Sequence, residues 1–192
     1  MSDPLQIDFG PFAAPTEGVL VLFVTEDLQP LGLDPDATQA AGDVISRAAR
    51  GARFKPKAGA ILDILAPEGI AADRLLVMSI GSPADRGKTD WVKSGGQVMA
   101  KLAAGGPALV ALDASVDPAH AADAAADFAL GMRLRSYTFD SYKTKKKDDA
   151  PDPLGRITIA LNDHAAAKKS FQRRQGLSEG VELARRLVNE PP

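Results

Sequence analysis

Residues 82–89 come nearest to a known chemical motif in this chain. They read Ser-Pro-Ala-Asp-Arg-Gly-Lys-Thr, follow a predicted strand and end in the Gly-Lys-Thr of a phosphate-binding loop. Such a loop needs glycine where Ser82 stands, so that backbone N–H groups can wrap a phosphate, and Pro83 removes one of those donors. We therefore interpret the segment as an ordinary turn from a strand into a helix, with a nucleotide site as the alternative.

The other side chains that could do chemistry are few and scattered. His120 and His164 are the two histidines, and neither has a second ligand at the spacing of a metal-binding motif, so we predict that both are solvated. The absence of cysteine removes disulfides, thiol nucleophiles and thiolate metal ligands. A Ser-His-Asp triad needs only convergence in space, so residue counts leave it open, although we do not expect one. The sequence predicts no catalytic, no cofactor-binding and no metal-binding residue.

Charge is balanced, which gives little reason to expect a polyanionic partner. Lys and Arg number 23 against 25 Asp and Glu, for a formal net charge of −2. The run of lysines in residues 143–147 is followed at once by Asp148 and Asp149 and has no interleaved aromatics, so it favours a solvated loop. DNA contact through this run is the alternative.

Composition is that of a soluble globular protein. Hydrophobic residues make up 45% and charged residues 25% of the 192 residues, which suits one folded unit with a core of its own. The first eighteen residues lack the pattern of a secretory signal, and no run of about 18 apolar residues occurs. We expect a cytoplasmic protein without a membrane partner.

Short apolar runs predict the buried strands of a sheet. Leu5, Ile7 and Phe9 alternate with polar residues, as in a strand with one buried face. Val19–Val24 is uninterrupted and rich in β-branched residues, which is typical of a strand covered on both faces. The other predicted strands are Ile61–Leu65 and residues 75–80, 108–112 and 157–161.

Three amphipathic helices are predicted between the strands, because apolar residues recur there every three to four positions. The predicted starts are at Asp34-Pro35, near Thr89 and at Asp117-Pro118, and two of the three have an N-cap aspartate before proline. The second helix contains Gly95 and Gly96, each costing about 1 kcal/mol relative to alanine. We attribute these glycines to close packing of the helix on the sheet, with approach of a ligand as the alternative.

A last amphipathic helix is predicted after Asp163. Its apolar line is Phe171, Leu177, Val181, Ala184 and Val188. Such a helix needs a surface to lie against, and no element follows it in this sequence. We therefore expect the chain to be the N-terminal part of a longer protein.

Strands that alternate with helices predict the α/β class. The expected architecture has three layers, helix-sheet-helix, around a mixed and mostly parallel central sheet, with a linker helix at the C-terminal end. The expected division is a domain at residues 1–162 and the linker helix at residues 163–192.

Two segments carry a more specific signal. Residues 133–143 read Arg-Leu-Arg-Ser-Tyr-Thr-Phe-Asp-Ser-Tyr-Lys, and residues 180–192 read Gly-Val-Glu-Leu-Ala-Arg-Arg-Leu-Val-Asn-Glu-Pro-Pro. In both segments, and in the order of its elements, the chain resembles the leucyl (cytosol) aminopeptidase family. In that family an N-terminal domain ends in Tyr-x-Phe-Asp-x-Tyr-Lys, and a linker helix reads Ala-Arg-x-Leu-Val-Asn-Glu-Pro-Pro.

The resemblance implies a macro-domain-like fold that leads to a catalytic domain beyond Pro192. In the family that domain releases N-terminal amino acids from peptides with two divalent metals, zinc or manganese, and both domains contribute to a hexamer. The family's Asp-Thr-Gly-Gly and Asn-Thr-Asp-Ala-Glu-Gly-Arg segments, which carry the metal ligands, do not occur here. We therefore expect no peptidase activity from these residues alone, and as partners the chain's own catalytic domain and further copies.

Two other functions stay open at the level of sequence. The implied fold is shared with modules that bind ADP-ribose, so a nucleotide-binding module is one alternative. A DNA-contacting domain is the other, although the balanced charge argues against a nucleic-acid partner.

Overall fold

The computed structural model describes residues 5–32, 35–102, 106–112, 116–117, 119–137 and 155–189. Within these ranges the strands are β1 (Ile7–Gly10), β2 (Val19–Val24), β3 (Pro30–Leu31), β4 (Ile61–Leu65), β5 (Arg74–Ser79), β6 (Ala108–Ala111) and β7 (Ile157–Ala160). The helices are α1 (Pro35–Ala52), α2 (Pro83–Arg86), α3 (Trp91–Lys101), α4 (Ala121–Ser136) and α5 (His164–Asn189). None of these helices is long and apolar enough to cross a membrane.

The strands form one mixed sheet in the order β1-β7-β6-β2-β5-β4, and β3 pairs with β2. Strands β1, β7, β6, β2 and β5 run parallel, whereas β4 and β3 join antiparallel. The predicted fold class is confirmed, and each predicted strand is present. Strand β3 was not predicted, because two residues that include a proline carry no periodic signal.

The central strand β2 is buried on both faces and separates two cores. Val19, Val21 and Phe23 point into the larger core, beneath α3, α4 and α5, while the alternating residues of β2 point into a smaller core beneath α1. In the larger core the Phe23 ring meets Trp91 and Phe128 edge to face, with ring centroids 5.7 Å apart in each pair. These aromatic contacts fix α3 and α4 against the same strand.

Helices α3 and α4 cross at van der Waals distance through two glycines. A Cβ atom placed on Gly95 would lie 1.9 Å from the carbonyl oxygen of Phe128, and one on Gly131 would lie 1.8 Å from that of Val92. The prediction that Gly95 reflects close packing is right. The predicted packing partner is wrong, because Gly95 lies against α4 and not against the sheet. Sequence alone does not reveal which neighbour a bare helical backbone touches.

The helix starts differ from the sequence prediction in one case. Helix α1 begins at Pro35 as predicted, and α3 begins at Trp91 after an N-cap at Asp90. Helix α4 begins at Ala121 and not at Asp117, because the Asp117 carboxylate accepts from the backbone N–H of His120 and also from the indole N–H of Trp91. A tertiary contact to α3 therefore holds Asp117 outside the helix.

Helices α4 and α5 lie side by side and run in the same direction. Asp123 contacts Ser170, Asp127 contacts Arg174 and Arg133 contacts Glu182, so partner numbers rise together along both helices. Each helix follows a strand of the parallel pair β6 and β7, which explains the shared direction. The boundary predicted at residues 162 and 163 falls at the start of α5, whose first half packs into the larger core through Ala167 and Phe171.

Candidate functional site

The turn with the phosphate-loop resemblance is filled by one of its own side chains. The Asp85 carboxylate accepts from the backbone N–H of Ser82 at 3.0 Å and from its hydroxyl at 2.7 Å. These hydrogen bonds, first the one from the hydroxyl, hold the pKa of Asp85 below its ordinary value, so the carboxylate is negatively charged at neutral pH. Two donors of the turn, the backbone N–H and the hydroxyl of Ser82, are therefore engaged by an anion of the protein.

The residues before this turn close the same edge of the sheet. The Ser79 hydroxyl donates to the carbonyl of Pro56 at 2.7 Å and accepts from the backbone N–H of Gly81 at 3.2 Å. Gly81 has a φ of +74°, and a Cβ there would lie 2.8 Å from the Asp85 carboxylate. The geometry is that of a packed strand-to-helix connection, as the sequence favoured.

The two histidines lie in different surroundings. The His120 side chain is 73% exposed and its Nδ1 lies 3.7 Å from Asp117, so it is solvated as predicted. His164 opens α5 and is only half-exposed, and its Nδ1 is buried without a hydrogen-bond partner among the described residues. The prediction of a solvated His164 therefore holds only in part, since one of its ring nitrogens is buried.

No cluster of metal-ligand side chains is present in the part of the chain that the structure describes. Those residues include no group of three or more His, Asp or Glu side chains that could hold a metal ion.

Residues 176–180 have the Gly-x-Ser-x-Gly spacing of a nucleophile elbow, a match that the sequence reasoning missed. Ser178, however, lies in the middle of α5, fully buried, with its hydroxyl donating to the carbonyl of Gln175 at 2.8 Å. It is a helix residue and not a nucleophile on a strand-to-helix turn.

The strongest polar constellation joins the first halves of α4 and α5. Arg174 donates from Nε to Asp127 at 2.6 Å, and its terminal nitrogens reach Asp123 and Ser170. Ser170 also donates to Asp123 through a short hydrogen bond. That hydrogen bond first, and Arg174 second, hold the pKa of Asp123 below its ordinary value. We call the set Asp123, Asp127, Ser170 and Arg174 the lower clasp.

A second polar contact lies further along the same two helices. Arg133 donates to Glu182 at 3.2 Å, and Arg185 donates to the carbonyl of Leu134 at 2.7 Å. The Arg185 guanidinium also lies over the Tyr137 ring, 5.7 Å from its centroid. We call these five residues the upper clasp.

The upper clasp brings together the two segments that carried the family resemblance. Residues 133–137 of the first segment and residues 180–189 of the second are described, and they touch through Arg133, Leu134 and Tyr137 on one side and Glu182 and Arg185 on the other. Residues 138–143 and 190–192 lie outside the described residues. The resemblance located both segments but did not predict that they touch.

Beyond the lower clasp, α5 carries an uncovered apolar end. The exposed fractions are 60% for Leu177, 55% for Leu183, 64% for Leu187 and 85% for Val188. We call residues 176–189 the α5 overhang. The apolar line predicted for this helix is therefore buried only at Phe171, while Leu177 and Val188 face outward.

The structure is that of a three-layer α/β domain whose C-terminal helix, α5, packs on α4 and exposes apolar side chains in its second half. The model of the cytosol aminopeptidase family, N-terminal domain, matches residues 20–146, which is more than half of the chain. The chain belongs to this family, as its N-terminal domain, and the predicted family resemblance is confirmed.

Curated relatives share the whole chain but extend well beyond it. A probable cytosol aminopeptidase of Rhodopseudomonas palustris is 46% identical over 196 residues, covering 100% of this chain and 39% of that protein. A probable cytosol aminopeptidase of Bradyrhizobium is also 46% identical, with 38% of that protein covered. The chain thus spans about two fifths of the length of these relatives.

Solved structures share the fold at low sequence identity. A mutant of tomato leucine aminopeptidase has a TM-score of 0.68 at 19% identity, with 97% of this chain and 38% of that chain covered. The bottromycin maturation enzyme BotP has a TM-score of 0.60 at 18% identity, with 90% of this chain and 33% of that chain covered. Both likenesses concern the arrangement of helices and strands.

Proposed function

We propose that this chain is the non-catalytic N-terminal domain of a metal-dependent leucyl aminopeptidase, which releases N-terminal amino acids from peptides. The observation that carries the proposal is the combination of a whole-chain match with partial coverage. All of this chain aligns to proteins called probable cytosol aminopeptidases, yet it accounts for only 39% of the first of them. The residues needed for hydrolysis then belong to the remaining part.

The two divalent metals implied by the family resemblance do not fit the residues described here. A two-metal centre needs a set of converging carboxylate, imidazole or amine ligands. The carboxylates that do converge, Asp123 and Asp127, are both engaged by Arg174, whose positive charge opposes a cation at that place. We therefore assign no step of hydrolysis to the described side chains.

Metal binding tests whether the ligands of the two metals lie outside these 192 residues. Calorimetric titration of Mn²⁺ or Zn²⁺ into the untagged 192-residue chain should give no saturable heat. The full-length protein should retain close to two ions per chain after dialysis, since it supplies the missing ligands. A stoichiometric site in the short chain would contradict the proposal, as would a metal-free and inactive full-length protein.

Nucleotide binding is the weaker candidate on structural grounds. The turn that would meet a pyrophosphate already holds the Asp85 carboxylate, and a second anion there would meet its charge at close range. Titration with ADP-ribose should therefore give neither heat nor a shift in melting temperature. The lysine run proposed for DNA contact lies outside the described residues, and duplex DNA should show no salt-sensitive retardation.

Location and assembly complete the proposal. The relatives are called cytosol aminopeptidases, and the chain has no cysteine, so we propose a cytoplasmic protein. The family resemblance supports a hexamer of the full-length protein, in which this domain contributes to the contacts between copies. Light scattering of the full-length protein should report six chains, whereas a monomer would contradict the hexamer.

A further inference from the structure

One face of the α5 overhang is uncharged and is not covered by any other residue in the ranges that the structure describes. Gly176, Gly180, Leu183 and Leu187 follow one another at spacings of four, three and four residues, which places them on one side of a helix. The side chains of α5 that bond to α4 point to the other side, since Arg174 lies two residues before Gly176 and about 200° around the helix from it. This face of four residues therefore points away from the domain.

The two glycines on this face have no close contact among the described residues. Glycine inside a helix is destabilising relative to alanine, so it needs a compensating close contact. Gly95 and Gly131 have such a contact, because a Cβ on either would overlap the backbone of the neighbouring helix. A Cβ on Gly176 or Gly180 would meet no atom of the described part of the chain within 4 Å. The same residue type is thus used at a helix crossing in one place and left facing open space in the other.

The exposed leucines are an independent sign that this face is covered in the full-length protein. Large exposed apolar side chains are concentrated in the overhang, where Leu183 is 55% and Leu187 is 64% exposed. They belong to the same face as the glycines and no charged residue of the overhang separates them. A contiguous apolar face of this kind marks a surface that another element covers.

We propose that the polypeptide that follows this domain in the full-length protein packs on the face of Gly176, Gly180, Leu183 and Leu187, with its backbone closest at the two glycines. The inference rests on the proposed function, because it takes the occupant from the same chain. The relatives supply that occupant: about three fifths of their length lies outside the region that this chain matches. The partner is an apolar element that approaches α5 as closely as α4 approaches α3.

Thiol labelling tests the proposal directly, since the 192 residues contain no cysteine. Leu183→Cys and Leu187→Cys are made in the short chain and in the full-length protein, and maleimide uptake at each position is followed by peptide mass spectrometry. Lys168→Cys, an exposed site on the first half of the same helix, is the matched control. We expect labelling at 183 and 187 to be at least about tenfold slower in the full-length protein, because access to the thiolate controls the rate. The control should not change.

Substitution of a glycine tests the close backbone approach, which labelling at the leucine positions alone does not. Gly180→Ala should raise the melting temperature of the short chain, because nothing occupies the space of the added methyl group. In the full-length protein the same substitution should restore labelling at Leu187→Cys, since the methyl group forces the partner away. An unchanged labelling rate there would overturn the close approach.

Two other outcomes would overturn the proposal itself. Equal labelling of short and full-length proteins would show that the face stays open. Protection that appears in the short chain and rises with its concentration would assign the face to a second copy. Activity of the same full-length sample separates the causes: an active enzyme with an open face contradicts only this inference, whereas an inactive and metal-free one contradicts the proposed function.

Discussion

Arg174 is the side chain on which the contact between α4 and α5 depends most. Its guanidinium group reaches Asp123, Asp127 and Ser170, and only 22% of the side chain is exposed. Several hydrogen bonds from one planar group to fixed carboxylates resist exchange with water better than an isolated surface ion pair. The lower clasp therefore stabilises the helix pair at the point where α5 leaves the core.

Replacing Arg174 should weaken the domain measurably. Arg174→Ala leaves Asp123 and Asp127 as close like charges without their partner, and we expect a loss of about 1–2 kcal/mol in the free energy of unfolding. Urea denaturation measures the change. The neighbouring Arg173→Ala is the control, because this exposed side chain should change stability by less than about 0.5 kcal/mol. Equal effects would show that the clasp contributes nothing specific.

Asp63 links stability to acid pH. Its hydrogen bond from Arg74, at 2.7 Å, is the largest cause that holds the pKa of Asp63 below its ordinary value of 3.8. A depressed folded pKa contributes stability that is fully present above the unfolded pKa and is lost as the pH falls through the folded pKa. The loss should therefore start below about pH 5 and continue below pH 4.

Asp63→Asn should flatten this part of the pH dependence. Stability of the variant and the parent, measured by urea denaturation at neutral pH and at pH values below 3.8, should differ less in acid than at neutral pH. A remaining slope is expected from Asp85 and Asp123, whose pKa values are also lowered. A parent protein and a variant that lose stability in parallel would refute the role of Asp63.

At the scale of elements, the crossing of α3 and α4 is held at the distance that two glycines allow. The carbonyl groups of Phe128 and Val92 occupy the places where side chains would begin on Gly95 and Gly131. Backbone atoms cannot rotate away as side chains do, so the helices would have to separate. This crossing also supports Phe128, whose ring lies against the central strand.

Gly95→Ala should consequently destabilise the domain by about 3 kcal/mol or more, at the upper end of what overpacking costs. Gly96→Ala is a matched control, because its Cβ would lie 3.6 Å from the nearest carbonyl oxygen, an ordinary contact, and alanine favours the helix by up to about 1 kcal/mol. Thermal melting of both variants decides the matter. Similar melting temperatures for the two would rule out the close crossing.

The sequence predicted these elements better than it predicted their contacts. Val19–Val24 and the other apolar runs form strands as predicted. A strand that is buried on both faces needs an uninterrupted apolar sequence, so the local pattern is sufficient to identify it. The start of α4 was misplaced because Asp117 bonds to Trp91, a residue 26 positions away. The partner of Gly95 was missed for the same reason, because Phe128 lies 33 positions away in the sequence.

The predictions about the candidate site also succeeded for local features and failed for contacts between residues that are distant in sequence. The strand-to-helix turn favoured by Ser82 and Pro83 is present between β5 and α2, because these residues act through local backbone chemistry. Whether the turn binds a phosphate stays a prediction. The clasps between α4 and α5 could not be derived, because their partners lie 47 to 51 residues apart. The family resemblance marked the two segments of the upper clasp, but only the fold shows that they meet.

At the scale of the whole molecule, the domain has a closed side and an open side. At the carboxyl end of β5, the Ser79 hydroxyl and the Asp85 carboxylate engage the backbone N–H groups of Gly81 and Ser82. The α5 overhang, by contrast, projects leucines and bare glycines away from the core.

The activity of the short chain and of the full-length protein, measured side by side on a leucyl anilide with added Mn²⁺ or Zn²⁺, tests this account most directly. We predict that the full-length protein releases leucine, that a chelator abolishes its activity, and that the 192-residue chain shows none under any of these conditions. Metal-dependent release of leucine by the pure 192-residue chain would contradict the account, because it would require a catalytic site within these residues.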